Sequence, residues 1–211
     1  MADLFDSVVD ESKVYKGAGR VVYGLATDDG GPSFPTKIED VIDPSTFVLA
    51  SGWTDIGATT RDGVKVTRTV EMEEGVETDQ LAASILKGYP KKWEGQASFT
   101  WLHTDVDSLK IAFEADDPSA VAGSEGDQKE LKFGSPTSLT ERQLCVIQRH
   151  SRTNKYRMVA LRRVIKSAEE IELAFQSEDA TKVAMSFDLL ADTEQAVGEN
   201  FGSVFEMTSA V

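Results

Sequence analysis

The stretch Trp53–Gln80, WTDIGATTRDGVKVTRTVEMEEGVETDQ, decides how the rest of the chain is interpreted. Extended segments flank Arg61-Asp62-Gly63, and Asp-Gly between extended segments predicts a hairpin turn because glycine adopts positive φ without steric cost. From Val64 to about Glu74 an apolar face alternates with a polar face. The apolar face carries Val64, Val66, Val70 and Met72, interrupted by Arg68, and the polar face carries Lys65, Thr67, Thr69, Glu71 and Glu73. A long strand with a wholly polar face is unusual in a core, so we predict that it belongs to an assembly.

The composition indicates a globular protein of one domain, or at most two small ones. The chain has 211 residues, of which 40% are hydrophobic and 27% charged. These values are typical of a chain with a real core. The formal net charge of −14 argues against binding of nucleic acid by phosphate neutralisation. It is compatible with a surface that DNA passes without binding.

The sequence carries no signal for export or for a membrane. No apolar run is long enough to span a bilayer, and the acidic N-terminus lacks the basic and apolar regions of a signal peptide. We expect a protein made and kept in a cytoplasm unless it leaves as part of a particle. The single cysteine, Cys145, follows Leu144 and precedes Val146, which predicts a buried structural thiol.

The apolar patterns elsewhere predict strands in hairpins and one helix. The strands are Arg20–Ala26, Trp93–Leu102, Gln143–His150, Tyr156–Lys166, Glu170–Gln176 and Val183–Leu189. Gln143–His150 is apolar on both faces, which predicts a strand covered on both sides. These elements favour an antiparallel β-sandwich or barrel with one flanking α-helix and a long protruding hairpin.

Three segments organise the chain. Residues 1–17 form an N-terminal arm, either a docking helix or a frayed terminus. Residues 18–197 form the β-sandwich domain, with the hairpin or loop at about 51–80 and the helix at about 105–115. Residues 198–211 form a C-terminal strand or arm. Phe201 and Phe205 lack a local hairpin mate there, so this tail pairs with a distant strand or with a neighbouring subunit.

No pattern for catalysis, metal or cofactor binding is present. His103 and His150 lie in different elements, with no Cys or His at metal-ligand spacing. The acidic clusters lack the calcium-loop pattern, and no nucleophile elbow, phosphate loop or dinucleotide fingerprint occurs. We therefore expect a protein that is not an enzyme.

A basic zone stands out in this acidic chain. It comprises Arg149, Arg152, Arg157, Arg162 and Arg163, with Lys155 and Lys166 among them. The asymmetry favours a patch complementary to the acidic surface of another copy. The alternative is an evenly solvated β face.

Four features together resemble one family. The first three are WTDIGATTRDGV at Trp53–Val64, the acidic strand at Val70–Asp79, and the strand and helix of Trp93–Phe113. The fourth is the order of the closing elements, in which a hairpin is followed by VAMSFDLLAD at Val183–Asp192 and then by FGSVFE at Phe201–Glu206. Over roughly residues 20–208 the chain resembles the major tail tube proteins of long-tailed, siphophage-type bacteriophages. Only the N-terminal stretch and the loop Asp28–Pro35 depart from the family pattern.

The resemblance implies a β-sandwich subunit whose copies form six-membered rings that stack into a hollow tube. Strands of all subunits join in a lumen-facing barrel, a tape-measure protein fills the lumen, and DNA later passes through it. The implied partners are other copies, the tape-measure protein, the tail terminator and tail-tip or baseplate proteins, with no membrane and no cofactor. The implied location is the virion tail, assembled in the host bacterial cytoplasm.

The resemblance also implies roles for particular residues. Contacts between subunits or rings are expected from Asp55, Ile56, Thr60, Arg61, Asp62, Val64, Val66, Val70, Met72, Phe201 and Phe205. An acidic surface facing the lumen or the next ring is expected from Glu71, Glu73, Glu74 and Glu77. Whether the Asp55–Asp79 segment lines the lumen or reaches the next ring stays open.

Three alternatives compete with this interpretation, and the least favoured of them is an enzyme. A tail-tip or baseplate ring protein, or the tube protein of a contractile system, shares the fold but assembles differently. A carbohydrate-binding β-sandwich predicts an exposed aromatic platform, for which Trp53, Trp93 and Trp101 are the candidates. Trp101 shares a strand face with Phe99, which favours the core.

Overall fold

The computed structural model describes residues 19–57, 59–72, 90–102, 106–121, 128–134, 138–149, 155–167, 182–196 and 199–207. Its strands are β1 (Gly19–Leu25), β2 (Thr54–Gly57), β3 (Thr59–Met72), β4 (Pro90–Trp101), β5 (Ser119–Ala120), β6 (Lys129–Glu130), β7 (Arg142–Arg149), β8 (Tyr156–Lys166), β9 (Val183–Leu190) and β10 (Gly202–Met207). The α-helix α1 spans Val106–Phe113, and short 3-10 turns occupy Thr27–Asp29 and Ile38–Asp40.

One antiparallel sheet of eight strands contains most of these elements. Its order is β2-β1-β7-β8-β9-β4-β3, and β10 also pairs with β8. Strands β9 and β10 pair with the same edge of β8. Strand β10 pairs with residues 156–161 of β8, and β9 pairs with residues 163–166. The mainly β, antiparallel architecture with one helix is confirmed.

The sheet is rolled. Strands β2 and β3 stand at opposite ends of the path, yet only Ala58 separates them in the chain. Because consecutive Cα atoms are about 3.8 Å apart, the Cα atoms of Gly57 and Thr59 lie within roughly 7.6 Å of each other. A Cβ placed on Gly19 of β1 would lie 3.8 Å from Cγ2 of Val64 in β3. The two ends of the sheet therefore meet, and the inner face encloses a core.

The inner core is lined by strands from both ends of the path and by the helix. Its buried members are Val21, Ile56, Ala97, Phe99, Trp101, Ile111, Ala112, Leu144, Leu161, Val164, Val183, Met185 and Phe187. Phe99 and Phe187 stack with their ring centroids 6.0 Å apart. The helix contributes the buried Ile111 and Ala112, and its Leu109 and Phe113 pack against this core.

A second core lies on the outer face of β1, β7 and β8. There Ile38, Val41, Ile42 and Trp53, which follow β1 in the chain, cover Cys145, Ile147 and Met158. In β7, Leu144 belongs to the inner core, and Cys145 and Ile147 belong to the outer core. The prediction that this strand is covered on both sides is confirmed.

The hairpin turn predicted at Arg61-Asp62-Gly63 is wrong. Strand β3 runs through all three residues and pairs with β4, and β2 pairs with β1 instead. Between the pairs Thr59–Trp101 and Val64–Phe99, β3 advances five residues and β4 only two. The extra residues form a bulge, and Gly63 has the positive φ of 72°. The long hairpin of this fold is therefore β3–β4.

The remaining strand predictions are largely confirmed. Strand β8 has the predicted bounds, and β1, β4, β7 and β9 agree within a few residues. The tail forms β10, which pairs with the distant strand β8 of its own chain. The predicted arm of residues 1–17 and the predicted strand Glu170–Gln176 lie outside the described residues.

Candidate assembly surfaces

The apolar face of β3 continues past the inner core. Val64 packs against that core, but Val66 is 39% exposed and Trp93 of the paired strand β4 is also exposed. Both side chains lie on the face that carries Phe99 and Trp101 farther along β4. The alternation predicted for β3 is therefore present, and part of its apolar face is left for a further partner.

Arg68 interrupts this apolar face and covers part of it. Its guanidinium carbon lies 3.9 Å from the centroid of the Trp93 ring and 5.9 Å from that of Phe201. A guanidinium at these distances is attracted to the aromatic ring face. The contact brings the residue just before β10 close to the β3–β4 hairpin.

The opposite face of β3, β4 and β9 is polar and lies over an open hollow of about 510 Å³. The Thr67 hydroxyl donates to the Gln96 carbonyl oxygen at 3.3 Å, and Gln96 Nε2 donates to Asp188 Oδ1 at 3.4 Å. The charged side chains described on this face are Lys65, Glu71, Glu94 and Asp188. Three acids against one base make the described part of this polar face negative.

Three strands of the eight-stranded sheet have a single partner each in the described chain. Strand β2 pairs only with β1, β3 pairs only with β4, and β10 pairs only with β8. The backbone groups along the second edge of such a strand are oriented to accept a strand from another chain.

Two of the predicted basic residues pair with acids of their own subunit. Arg157 Nε donates to Glu206 Oε1 at 3.1 Å, and Arg163 Nε donates to Glu141 Oε2 at 2.7 Å. The hydrogen bond that Arg163 donates to the Glu141 carboxylate raises the pKa of Arg163 above its usual value. These charges are compensated within the subunit.

Two other described arginines of the basic zone lie over aromatic rings. The Arg162 guanidinium is 3.9 Å from the Phe34 ring and donates to the Glu199 carbonyl oxygen at 3.0 Å. The Arg149 guanidinium is 5.0 Å from the Phe47 ring. Arg152 lies outside the described residues.

Several predicted contact residues have partners in their own chain. Ile56 is buried in the inner core, so the folded subunit does not offer it to a neighbour. The Asp55 carboxylate accepts a hydrogen bond of 2.8 Å from Arg20 Nε. Phe205 is partly buried against the outer core. The side chains of Thr60, Arg61, Asp62 and Met72, and the residues Glu73, Glu74 and Glu77, lie outside the described part.

An aromatic sugar platform finds no support among the described residues. Trp53 and Trp101 are buried, and the Trp93 ring lies under Arg68. Burial raises the pKa of the Cys145 thiol far above its usual value, so a nucleophilic role is disfavoured. In the described part of the chain, no three acidic, His or Cys side chains are grouped as metal ligands. None of the described helices could cross a membrane.

One exposed feature was not foreseen from the sequence. The loop Asp43–Leu49 presents Phe47 and Val48 to solvent beside Arg149. The sequence did contain a signal for this exposed loop. Phe47 and Val48 are adjacent apolar residues that follow Asp43-Pro44 and belong to no predicted strand.

A rolled sheet with singly paired strands, an exposed apolar face and an acidic polar face is typical of a subunit that polymerises through its β-structure. The model of the phage tail tube protein family matches residues 10–199, most of the 211-residue chain. The chain therefore belongs to the phage tail tube protein family, whose members are structural components of the virion and assemble into the tail tube with other tail proteins. No curated protein gives a significant match.

Proposed function

We propose that this protein forms six-membered rings that stack into the hollow tube through which DNA leaves the particle. The family match over residues 10–199 carries the proposal. We also propose that the protein has no catalytic activity and is assembled in the cytoplasm of the host bacterium. Its further partners are then the tape-measure protein, the tail terminator and the tail-tip or baseplate proteins.

The edges of the sheet supply the lateral contacts of the ring in this proposal. Strand β3 is 14 residues long and has one partner in the described chain. A strand from the neighbouring subunit would satisfy its second edge and cover Val66. The resulting contact joins two different surfaces of the same chain, as a closed ring requires.

The polar face of β3, β4 and β9 lines the lumen in this proposal. Thr67, Gln96 and Asp188 form a hydrogen-bonded polar surface, which suits a water-filled channel. Among the described side chains there, Glu71, Glu94 and Asp188 outnumber Lys65, and the whole chain carries −14. Phosphate groups would be repelled, so DNA would move past this surface without binding to it.

Electron microscopy of the purified protein tests the proposal. Negative staining after prolonged incubation at high concentration should show rings or hollow tubes. A matched pair of variants tests the role of β3, because Val66 and Val121 are each 39% exposed. Val66→Lys should abolish rings and tubes, and Val121→Lys should leave them unchanged. Monomers that persist with tail-initiating proteins present would contradict the proposal.

A further inference from the structure

Two buried polar atoms lie where β3 begins and β4 ends. Thr59, the first residue of β3, is directly opposite Trp101, the last residue of β4. The Trp101 side chain is fully buried in the inner core, and Thr59 Oγ1 is also shielded from solvent. Neither Trp101 Nε1 nor Thr59 Oγ1 has a hydrogen-bond partner among the described residues. Because buried polar groups are almost always hydrogen-bonded, this pair requires a further partner.

The two atoms have the chemistry and the spacing for a bridge through one small molecule. An indole N–H can only donate a hydrogen bond, whereas a hydroxyl can both donate and accept. Opposite residues of an antiparallel pair project their side chains from the same face, with Cβ atoms about 4.5–5.5 Å apart. A water molecule that bonds to both atoms bridges up to roughly 5.8 Å, because each hydrogen bond is about 2.9 Å long. Water is therefore the ligand that fits this place in size and in polarity.

The bulge of β3 supplies a third partner at the same place. Strand β3 advances five residues from Thr59 to Val64 while β4 advances two from Trp101 to Phe99, so three residues of β3 have no counterpart on β4. The extra residues of a bulge are left out of the ladder of main-chain hydrogen bonds. A buried water typically makes about three hydrogen bonds to groups that would otherwise stay unpaired. A main-chain carbonyl oxygen of the bulge can accept the third of them.

We propose that an internal water molecule binds between Thr59 and Trp101 and bridges β3 to β4 at the bulge. Its oxygen accepts a hydrogen bond from Trp101 Nε1. One of its hydrogens is donated to Thr59 Oγ1, and the other is donated to a main-chain carbonyl oxygen of the bulge. The site belongs to the folded subunit, so the inference does not depend on the proposed tube.

This water holds the register in which the β3–β4 hairpin starts. Beyond the bulge, Val66 lies on the apolar face of β3 and Thr67 lies on the polar face. A slip of one residue between paired strands exchanges the two faces. By keeping Thr59 opposite Trp101, the water favours the register that places Thr67 on the polar face.

A high-resolution map of the protein, from crystals of the subunit or from its tubes, tests the site directly. The map should contain a water within about 2.7–3.2 Å of both Trp101 Nε1 and Thr59 Oγ1. This water should be retained in Thr59→Ser, which keeps the hydroxyl, and lost in Thr59→Val, which replaces the hydroxyl by a methyl group. Thr67→Val is the matched control, because the Thr67 hydroxyl bonds directly to the Gln96 carbonyl oxygen and its loss should leave the water in place.

A double-mutant cycle in urea gives a second readout. The equilibrium constant of unfolding should rise several-fold in Thr59→Val and in Trp101→Phe. If the water couples the two side chains, the rise in the double variant should be much smaller than the product of the two single rises.

Several results would overturn the inference. They are a wild-type map without a water at this position, a direct hydrogen bond between Thr59 and Trp101, a water that stays in Thr59→Val, and single effects that multiply in the double variant. If Thr59→Val does not fold, the wild-type map and the Thr59→Ser map decide the outcome.

Discussion

Replacing Arg142 by methionine should remove a large part of the folding free energy, because it leaves a buried carboxylate without its counterion. Arg142 Nη1 lies 2.6 Å from Glu114 Oε1, and Arg142 Nη2 lies 3.2 Å from Glu114 Oε2. Only 9% of the Arg142 side chain and 4% of the Glu114 side chain are exposed. Both also bond to the backbone of Thr140, so the pair fastens the end of α1 to β7.

The magnitude follows from the burial of the pair. Removing one partner of a buried ion pair destabilises a protein by about 3–5 kcal/mol. Lys166 should reduce the loss, because its ammonium group interacts with Glu114. Burial lowers the pKa of Lys166, Glu114 raises it and Arg142 lowers it. We therefore expect a loss of about 3 kcal/mol, or a fall in Tm of roughly 6–12 °C for a chain of this size.

Urea unfolding of the unassembled protein, followed by tryptophan fluorescence, measures this loss. Arg157→Met is the matched control, since it breaks the ion pair with Glu206 by the same substitution. That pair is 39% and 47% exposed, and exposed pairs contribute about 0–1 kcal/mol. Equal, small losses for Arg142→Met and Arg157→Met would refute the reasoning.

A double variant separates the uncompensated charge from the lost packing. In Glu114→Leu/Arg142→Met neither member of the ion pair remains, so much of the stability should return. If the double variant were as unstable as the sum of its single variants, the loss would come from packing and not from an unpaired charge.

The remaining predictions concern the core and two titratable groups. Phe187→Ala should lower the free energy of unfolding by about 3–5 kcal/mol, because Phe187 is buried against Phe99, and Val204→Ala should change it by less than about 0.5 kcal/mol in the same urea assay. Cys145 should not react with a thiol reagent in the folded protein at pH 8 and should react fully in urea, because burial raises its pKa. Burial lowers the pKa of Lys166, so the unfolded chain holds that proton more tightly and the charged lysine destabilises the fold at neutral pH. Lys166→Met should therefore raise stability at pH 7, and its advantage in urea titrations should shrink as the pH approaches 10.5, the ordinary lysine value.

Local patterns predicted the strands well because burial imposes a period of two on each strand. The bounds of β8 followed from alternation, and the coverage of β7 on both faces followed from its continuous apolar run. The same reasoning failed at Asp62-Gly63. A positive φ is needed both by a hairpin turn and by a bulge, and only the pairing of distant strands decides between them.

The candidate site was less predictable, since it depends on contacts far apart in the sequence. Ile56 lies in a strand with a polar pattern, but β1 places it in the inner core. The basic zone resembled an unpaired patch because the acids that pair with it are far away in the sequence. Glu206 is 49 residues from Arg157, and Glu141 is 22 residues from Arg163. A period-two pattern identifies the apolar face of a strand, but it does not identify which residues cover that face.

Cryo-electron microscopy of tubes grown from the purified protein tests the central claim most directly. The account predicts a hollow tube of stacked six-membered rings, with the polar face of β3, β4 and β9 towards the lumen. Solid fibres, or tubes in which this polar face points away from the lumen, would contradict it.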